Sequence, residues 1–341
     1  MSISHQNIAK HISTFLIKIS RLIAWGTVAV LIAFLFNNYF THWLDWPGAS
    51  AIYDQGELSG ADIGLSLLQN LLYGILILAV IIYIFLKKHN SLYLESQRLY
   101  ALTTYLVRTA FWAVFLIGII DFSISFLRVE NLLSVIFGDT LADNLIHRSF
   151  RCVYVHLPLI LIASVVAAIK KDIGFPWLAL LIVIAELTIV ISGSIYSYEQ
   201  AMFGDLVRFW YAALFLFASA YTLLNEGHVR VDLFYASISK TKQSIVNAIG
   251  SIFLGMSFCW VILFYGMYNK HSIINAPILS FEGTQQEYGM QVKYWMAAFL
   301  AVFAVTMLIQ FSGYFLECIS IIRGEEENPK LKNDSINEEL I

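Results

Sequence analysis

The sequence predicts an all-α polytopic membrane protein, a bundle of about eight membrane-spanning helices. Of the 341 residues, 59% are apolar or aromatic and only 13% are charged, whereas a soluble domain is about a quarter charged. Apolar runs that approach or exceed the ~20 residues needed to cross the hydrocarbon core recur along the whole chain. Backbone polar groups in that core must bond within their own segment, so we expect each run to be a helix.

The predicted spans follow one another in eight apolar runs, with boundaries set by polar residues and turns. They are Leu22–Phe40, Leu65–Leu86, Ala101–Leu127, Cys152–Ile169, Trp177–Ile195, Phe209–Leu224, Ile245–Tyr268 and Tyr294–Ile322. Aromatic rings prefer the headgroup level of a bilayer. The rings expected at that level are Tyr39, Phe40, Trp177, Trp210, Tyr268 and Trp295.

Two connections between these spans have a distinctive amino-acid composition. Residues 170–176 combine Lys-Lys-Asp with a glycine and a proline, which is typical of a turn between domains. They predict an N-terminal four-helix region at residues 1–173, a second four-helix region at 174–323 and a flexible tail at 324–341. The connection 128–151 is expected to be either an amphipathic helix at the membrane surface or a solvated loop, and its apolar residues include Leu132, Val135, Ile136 and Leu145.

The distribution of basic residues predicts that both termini are cytoplasmic. With the N-terminus inside, fifteen of the 21 lysines and arginines fall on the cytoplasmic side and six on the opposite side. An excess of basic residues marks the cytoplasmic loops of membrane proteins. An odd number of spans would destroy this alternation, which favours eight.

Several functional classes find no support in the sequence. A net charge of −3, without a long basic run, gives no indication of nucleic-acid binding. Cys152, Cys259 and Cys318 fall in different predicted spans and form no recognisable disulfide or thiolate-metal pattern. The spans contain no serine–histidine or paired-acid constellation, so we expect no catalytic residue, cofactor or metal.

The segment after the sixth span carries the most informative motif. There, His228, Arg230 and Asp232 lie in the sequence His-Val-Arg-Val-Asp, directly after Gly227. Glycine can end a helix, and aspartate can cap a new one. The apolar residues that follow have the spacing of one helical face: Val231, Phe234, Tyr235 and Ile238. We therefore expect a short interfacial helix along the cytoplasmic surface.

This pattern resembles the small membrane subunit (DctQ-like) of tripartite ATP-independent periplasmic (TRAP) transporters. That family also tends to carry a Trp-x-Glu-Glu-type turn at the start of the preceding helix. Here Asp205 stands at the position of the last glutamate and Arg208 follows it, while the tryptophan is absent. The resemblance covers residues 175–323 and leaves the first four spans unassigned.

The resemblance implies a scaffold role in the ion-gradient-driven uptake of a small organic acid across the bacterial inner membrane. In this family a periplasmic solute-binding protein captures the substrate, and a large permease subunit (DctM-like) carries it across. The small subunit is thought to brace the large one. The residues implied to shape the subunit or lipid contact are His228, Arg230, Asp232, Asp205 and Arg208.

Features read from the residues themselves agree with a scaffold. Transporter cores usually contain helices broken by glycine or proline near the middle of the membrane. This chain has only five prolines, and just Pro158 lies well inside a predicted span. The small residues of the last two spans are expected to pack either against a partner or inside the chain: Gly250, Gly255, Ala297, Ala301 and Ala304.

Embedded polar residues permit more than one interpretation. Glu186 stands in the middle of the fifth span, where a carboxylate facing lipid is costly. It is expected either to contact a partner subunit or to bond inside the chain. Asp121 and His156 should lie at similar depth on neighbouring spans and predict a structural pair, with a proton or ligand site as the alternative. Gln310, Glu317 and Asn247 are expected to bond between helices.

Two other functional classes remain open at this point. The eight histidines are compatible with a membrane redox or haem-binding subunit. However, haem ligation across a bundle needs embedded histidines on facing helices, and only His156 lies inside a predicted span. An autonomous channel or carrier is the other alternative, and it would transport without any partner.

Overall fold

A computed structural model describes residues 2–53, 59–86, 91–171, 175–224, 235, 237–283 and 289–325. The helices in this part of the chain are α1 (Ser2–Trp43), α2 (Gly60–Leu86), α3 (Leu92–Val129), α4 (Leu133–Phe137), α5 (Asp139–Ile146), α6 (Arg148–Ile169), α7 (Phe175–Tyr196), α8 (Ala201–Leu224), α9 (Lys240–Met267), α10 (Asn275–Leu279) and α11 (Lys293–Ile322). A short 3-10 turn covers Ala51–Tyr53, and these residues contain no strand.

Eight of these helices are long and apolar enough to cross a membrane: α1, α2, α3, α6, α7, α8, α9 and α11. The predicted all-α fold and its eight spans are therefore confirmed. The short helix predicted after the sixth span falls on residues 231–238, of which only Tyr235 and residues 237 and 238 belong to the described part.

The chain divides into two compact units. The first contains residues 1–102, 228–261 and 307–341, and the second contains residues 103–227 and 262–306. Each unit draws residues from both sides of the turn at 170–176. The division into four-helix regions at residue 173 stays a prediction.

In the first unit, polar side chains hold α2 against α1. The Gln69 amide nitrogen donates to Asn37 Oδ1 at 2.9 Å and to Thr41 Oγ1 at 3.0 Å. Its amide oxygen accepts from the backbone N–H of Gly48 at 3.0 Å, and the Ser66 hydroxyl donates to the Gly48 carbonyl at 2.9 Å. Hydrogen bonds of this kind stabilise helix pairs in lipid, where burial of apolar surface gives no net advantage.

A buried ion pair joins α1 to α3 in the same unit. Arg21 Nε lies 3.2 Å from Glu95 Oε2, and the Trp25 indole N–H donates to that same oxygen at 3.2 Å. Arg21 and Glu95 are almost completely buried. The pair satisfies two charges that lipid could not solvate.

Two expected interhelical hydrogen bonds form in the first unit. The Tyr100 hydroxyl of α3 donates to the Glu317 carboxylate of α11. The Asn247 amide of α9 donates to the Tyr314 hydroxyl of α11 at 2.7 Å. The prediction is wrong for Gln310 of α11, whose buried side-chain amide has no hydrogen-bond partner among the described residues.

Of the small residues on the last two spans, Gly255 packs inside the chain. A Cβ atom placed there would lie 2.7 Å from the ring of Phe311 on α11. Ala304 is also fully buried. The partner-facing alternative is therefore wrong for Gly255 and Ala304, because neighbouring atoms of the same chain already cover them.

The connection between α3 and α6 is helical in the second unit. Leu133, Ala142 and Leu145 of α4 and α5 pack with Ile124 of α3 into one apolar cluster. Other apolar residues of this connection remain exposed: Leu132, Val135 and Ile136. An exposed apolar face beside polar residues favours the amphipathic helix over the solvated loop.

Helices α3 and α8 approach closely at Gly118. A Cβ atom built there would lie 2.4 Å from Nε1 of Trp210, whose indole N–H donates to the Val114 carbonyl at 3.3 Å. Trp210 is 4% exposed. The expectation that its ring lies among lipid headgroups is wrong, because α3 encloses it.

We predict that Gly118→Ala lowers the thermal stability of the detergent-solubilised protein. The added methyl group would displace the buried indole, and overpacking of this kind costs about 1–3 kcal/mol. Gly74→Ala on α2 is the matched control, because a Cβ atom there meets nothing within 4 Å. Tm values from size-exclusion chromatography after heating check the prediction. Equal Tm values for the two variants would contradict the close approach.

Candidate functional site

Charged and polar side chains of the second unit meet in one buried cluster. We call it the aspartate cluster and define it by Asp121 of α3, Arg151 and His156 of α6, Asp205 of α8, and four residues around the start of α11: Met290, Gln291, Tyr294 and Trp295. The first three side chains are fully buried, and Asp205 is 4% exposed. The cluster therefore brings three spans and one connecting segment together around two carboxylates.

Asp121 lies at the centre of the cluster and accepts hydrogen bonds from three directions. Its Oδ1 accepts from Arg151 Nη1 at 2.9 Å and from His156 Nε2 at 3.2 Å. Its Oδ2 accepts from the backbone N–H of Gln291 at 2.8 Å. The guanidinium balances the carboxylate charge, while both oxygens are satisfied without water.

A π-helical turn in α6 explains how Arg151 and His156 reach the same carboxylate. Residues five apart on an α-helix point roughly 140° away from each other. The turn Cys152–His156 is π-helical and is followed by Pro158, which has no N–H to donate to the preceding turn. The wider turn lets both side chains point towards Asp121.

The neighbours of His156 determine its tautomer. The Trp295 indole donates to Nδ1 at 2.9 Å, and an indole N–H can only donate. Nδ1 therefore carries no proton, and the ring proton lies on Nε2, which faces Asp121. The Tyr294 hydroxyl lies 2.7 Å from the same Nδ1. The imidazole connects the carboxylate to two aromatic residues at the start of α11.

Asp205 repeats the backbone contact made by Asp121. Its Oδ2 accepts from the backbone N–H of Met290 at 3.0 Å, and its Oδ1 lies 3.2 Å from Nη2 of Arg208. Arg208 is largely exposed, so only the carboxylate of this ion pair is buried. Two aspartates from different helices thus hold consecutive backbone amides, those of Met290 and Gln291.

A further hydrogen bond ties the connection between α7 and α8 to the end of α3. The Tyr198 hydroxyl donates to Glu130 Oε1 at 2.6 Å. Burial, and then this hydrogen bond to the carboxylate, raise the pKa of Tyr198 to about 12. The phenol therefore stays protonated at neutral pH and keeps its donor role.

The structure brings some of the residues predicted from the sequence together. Asp121 and His156 are in contact, within a larger group than the expected pair. Asp205 and Arg208 form an ion pair one turn apart at the start of α8. All four lie in the second unit.

Other residues predicted from the sequence do not join this cluster. His228, Arg230 and Asp232 lie outside the described residues. Glu186 is exposed on α7 and makes no hydrogen bond or ion pair with any residue that the structure describes. It is ten residues from the end of α7 at Tyr196. A charged side chain at the bilayer centre costs about 2.5–3.5 kcal/mol on insertion scales.

Several members of the cluster are not predicted by the sequence. Arg151 directly precedes the predicted span Cys152–Ile169 and is therefore one of the six basic residues assigned to the outer side. Trp295 is predicted as a headgroup aromatic, whereas its N–H bonds inside the chain. The available signal was Pro158, since a proline inside a span often accompanies an irregular turn. Gln291 bonds through its backbone N–H, so the pattern of side chains in the sequence does not predict this contact.

Among the described residues, no group of three histidine, cysteine, aspartate or glutamate side chains is arranged to hold a metal ion. Two polar atoms of the cluster, Arg151 Nη2 and Gln291 Oε1, are buried without a partner in that part of the chain. The arrangement as a whole is a set of fixed contacts between backbone, carboxylates and aromatic donors.

Comparison with known proteins gives one family match. Residues 195–319 match the DctQ component of tripartite ATP-independent periplasmic transporters. The resemblance stated from the sequence is confirmed over these residues, which include Asp205 and the amides that both aspartates hold. No curated protein and no solved structure matches the chain.

We predict that Arg151→Met strongly destabilises the protein, because it leaves the Asp121 carboxylate buried without its cation. Breaking one partner of a buried pair costs about 3–5 kcal/mol. Lys293→Met is the matched control, since Lys293 pairs with Glu282 where both are partly exposed, and such pairs contribute about 0–1 kcal/mol.

The measurement is the Tm of each variant in detergent. Asp121→Leu combined with Arg151→Met should recover part of the loss, because the double variant buries no unpaired charge. A Tm for Arg151→Met equal to that of Lys293→Met would show that the cluster is not a stabilising joint.

Proposed function

We propose that this chain is the small membrane subunit of a TRAP-type secondary transporter, on the basis of the DctQ match over residues 195–319. It braces a large, DctM-like permease subunit, which carries the substrate. A periplasmic solute-binding protein delivers an organic acid to that subunit, and an ion gradient drives uptake. In this role the chain is a scaffold and not an enzyme.

The aspartate cluster supports a bracing role. A site that moves a solute or a proton needs polar groups that exchange partners. In the cluster, both oxygens of Asp121 already accept from groups of the same chain. Asp205 likewise holds a backbone amide. These contacts favour a fixed arrangement of α3, α6, α8 and the start of α11 over one that opens and closes.

The N-terminal spans participate in the same joint. Asp121, Arg151 and His156 come from helices outside the matched family region, while Asp205 and Gln291 come from within it. The second unit therefore combines both groups of helices around shared hydrogen bonds. We infer that the additional helices α3 and α6 enlarge the brace and are not a separate transport module.

The proposed location is the bacterial inner membrane, with both termini cytoplasmic. A green fluorescent protein fused after Ile341 should therefore fluoresce, whereas alkaline phosphatase fused there should be inactive. Fusions placed in the connection between α5 and α6 should give the opposite pair of results. Active phosphatase at the C-terminus would overturn this orientation.

The test of the proposed function is reconstitution with its partners. Co-expressed with a large, DctM-like permease subunit from the same organism, the tagged chain should retain that subunit through detergent purification. Proteoliposomes that contain both subunits should take up an organic acid only when the binding protein and an ion gradient are supplied. Proteoliposomes that contain this chain alone should show no uptake. Uptake by this chain alone would reject the scaffold role in favour of an autonomous carrier.

A further inference from the structure

Glu186 stands at the centre of the span that the chain itself covers least. Over the most apolar 18 residues of α7, only 6% of the stretch is buried inside the protein. The corresponding stretches of the seven other candidate spans are 11–50% buried. Among the described residues α7 packs against its neighbour α8, and Ala185, next to Glu186, is buried. The Glu186 carboxylate thus lies on the uncovered side, in the part of the helix farthest from both membrane surfaces.

The surroundings of Glu186 form a defined strip along α7. Residues three or four apart are neighbours on a helix, and residues seven apart share one face. By this spacing Val183, Glu186, Val190 and Gly193 form one strip, which we call the Glu186 face. Val183 and Val190 are each more than half exposed.

The Glu186 face carries a second acidic group at one end. Glu199 follows α7, and its Oε1 would lie 3.2 Å from a Cβ atom placed on Gly193. The α7 sequence contains no lysine or arginine. The strip therefore carries one acidic group at its centre and one at its end, and α7 itself supplies no counter-charge.

The charge of this strip decides between possible occupants. Lipid tails offer no hydrogen-bond donor to a carboxylate. A second copy of this chain, related by a two-fold axis, would place the same acidic strip against itself. A helix with a lysine or arginine at mid-membrane depth would supply both the donor and the opposite charge.

We propose that the Glu186 face docks against a membrane helix of the large permease subunit, and that a lysine or arginine of that helix pairs with Glu186. This inference rests on the proposed function and adds the location and chemistry of the contact.

The first test compares substitutions on the two sides of α7. Glu186→Leu and Glu186→Lys are made in the full chain, co-expressed with the large subunit and purified through a tag on this chain. Thr188→Leu is the matched control, since Thr188 is also exposed, points to the other side of α7 and bonds only the Ile184 carbonyl of its own helix.

We expect Glu186→Leu to reduce the recovered large subunit by about tenfold or more, because it removes one partner of a buried charge pair. Glu186→Lys should reduce it further through like-charge repulsion, and Glu186→Gln should retain an intermediate amount. Thr188→Leu should recover the wild-type amount. The Tm of each purified chain, measured alone, separates loss of docking from loss of folding, and Glu186→Leu should leave it unchanged or raised.

The second test locates the contact directly. A photoreactive benzoylphenylalanine at Val190, on the Glu186 face, should crosslink to the large subunit. The same group at Ile184, on the other side of α7, should not. A crosslink from Val190 to a second copy of this chain would overturn the proposal.

The outcomes separate this inference from the proposed function. If the wild-type chain fails to retain the large subunit, the scaffold function itself is wrong. If the wild type retains it and Glu186→Leu and Glu186→Lys retain it equally well, the function stands and the docking inference is wrong.

Discussion

The Asp121 carboxylate imposes the main constraint on the second unit. It is a negative charge inside a membrane-spanning helix, where neither lipid nor bulk water can satisfy it. Three parts of the chain meet that demand: the Arg151 guanidinium, the His156 imidazole and the backbone of Gln291. The π-helical turn of α6 follows from the same demand, because a regular helix would turn one of its two donors away. Local irregularity in α6 is thus explained by a single charge on α3.

The two aspartates also connect helices inside the region that matches the DctQ family to helices outside it. Asp121 lies outside the region that matches the DctQ family, and Asp205 lies within it. Each holds one of two successive amides, so the start of α11 is positioned by α3 and α8 together. Trp295 then fixes the His156 ring from the other side. The scaffold role that we propose would call for such mutual support between helices.

The fold was predictable because the bilayer restricts the choice so strongly. Apolar length alone identifies all eight spans, and depth counting places Asp121 beside His156. The contacts that depend on helix rotation were not accessible. Arg151 was missed because it directly precedes a predicted span, and Trp210 was misplaced because its aromatic character suits both a headgroup and a buried helix contact. The contact at Gln291 is made by its backbone N–H, so the amino-acid type at this position does not predict it. Glu186 was recognised as costly in lipid, but only the packing of α7 shows that its own chain leaves it uncovered.

The manner in which the aspartates hold residues 290 and 291 has an evolutionary consequence. They bind main-chain amides, which every amino acid except proline provides. Drift at these two positions should therefore be tolerated so long as the new side chain fits its buried surroundings, whereas the acids on α3 and α8 have no equivalent substitute. Across orthologues, we expect the supporting carboxylates to be retained while the peptide that they support varies.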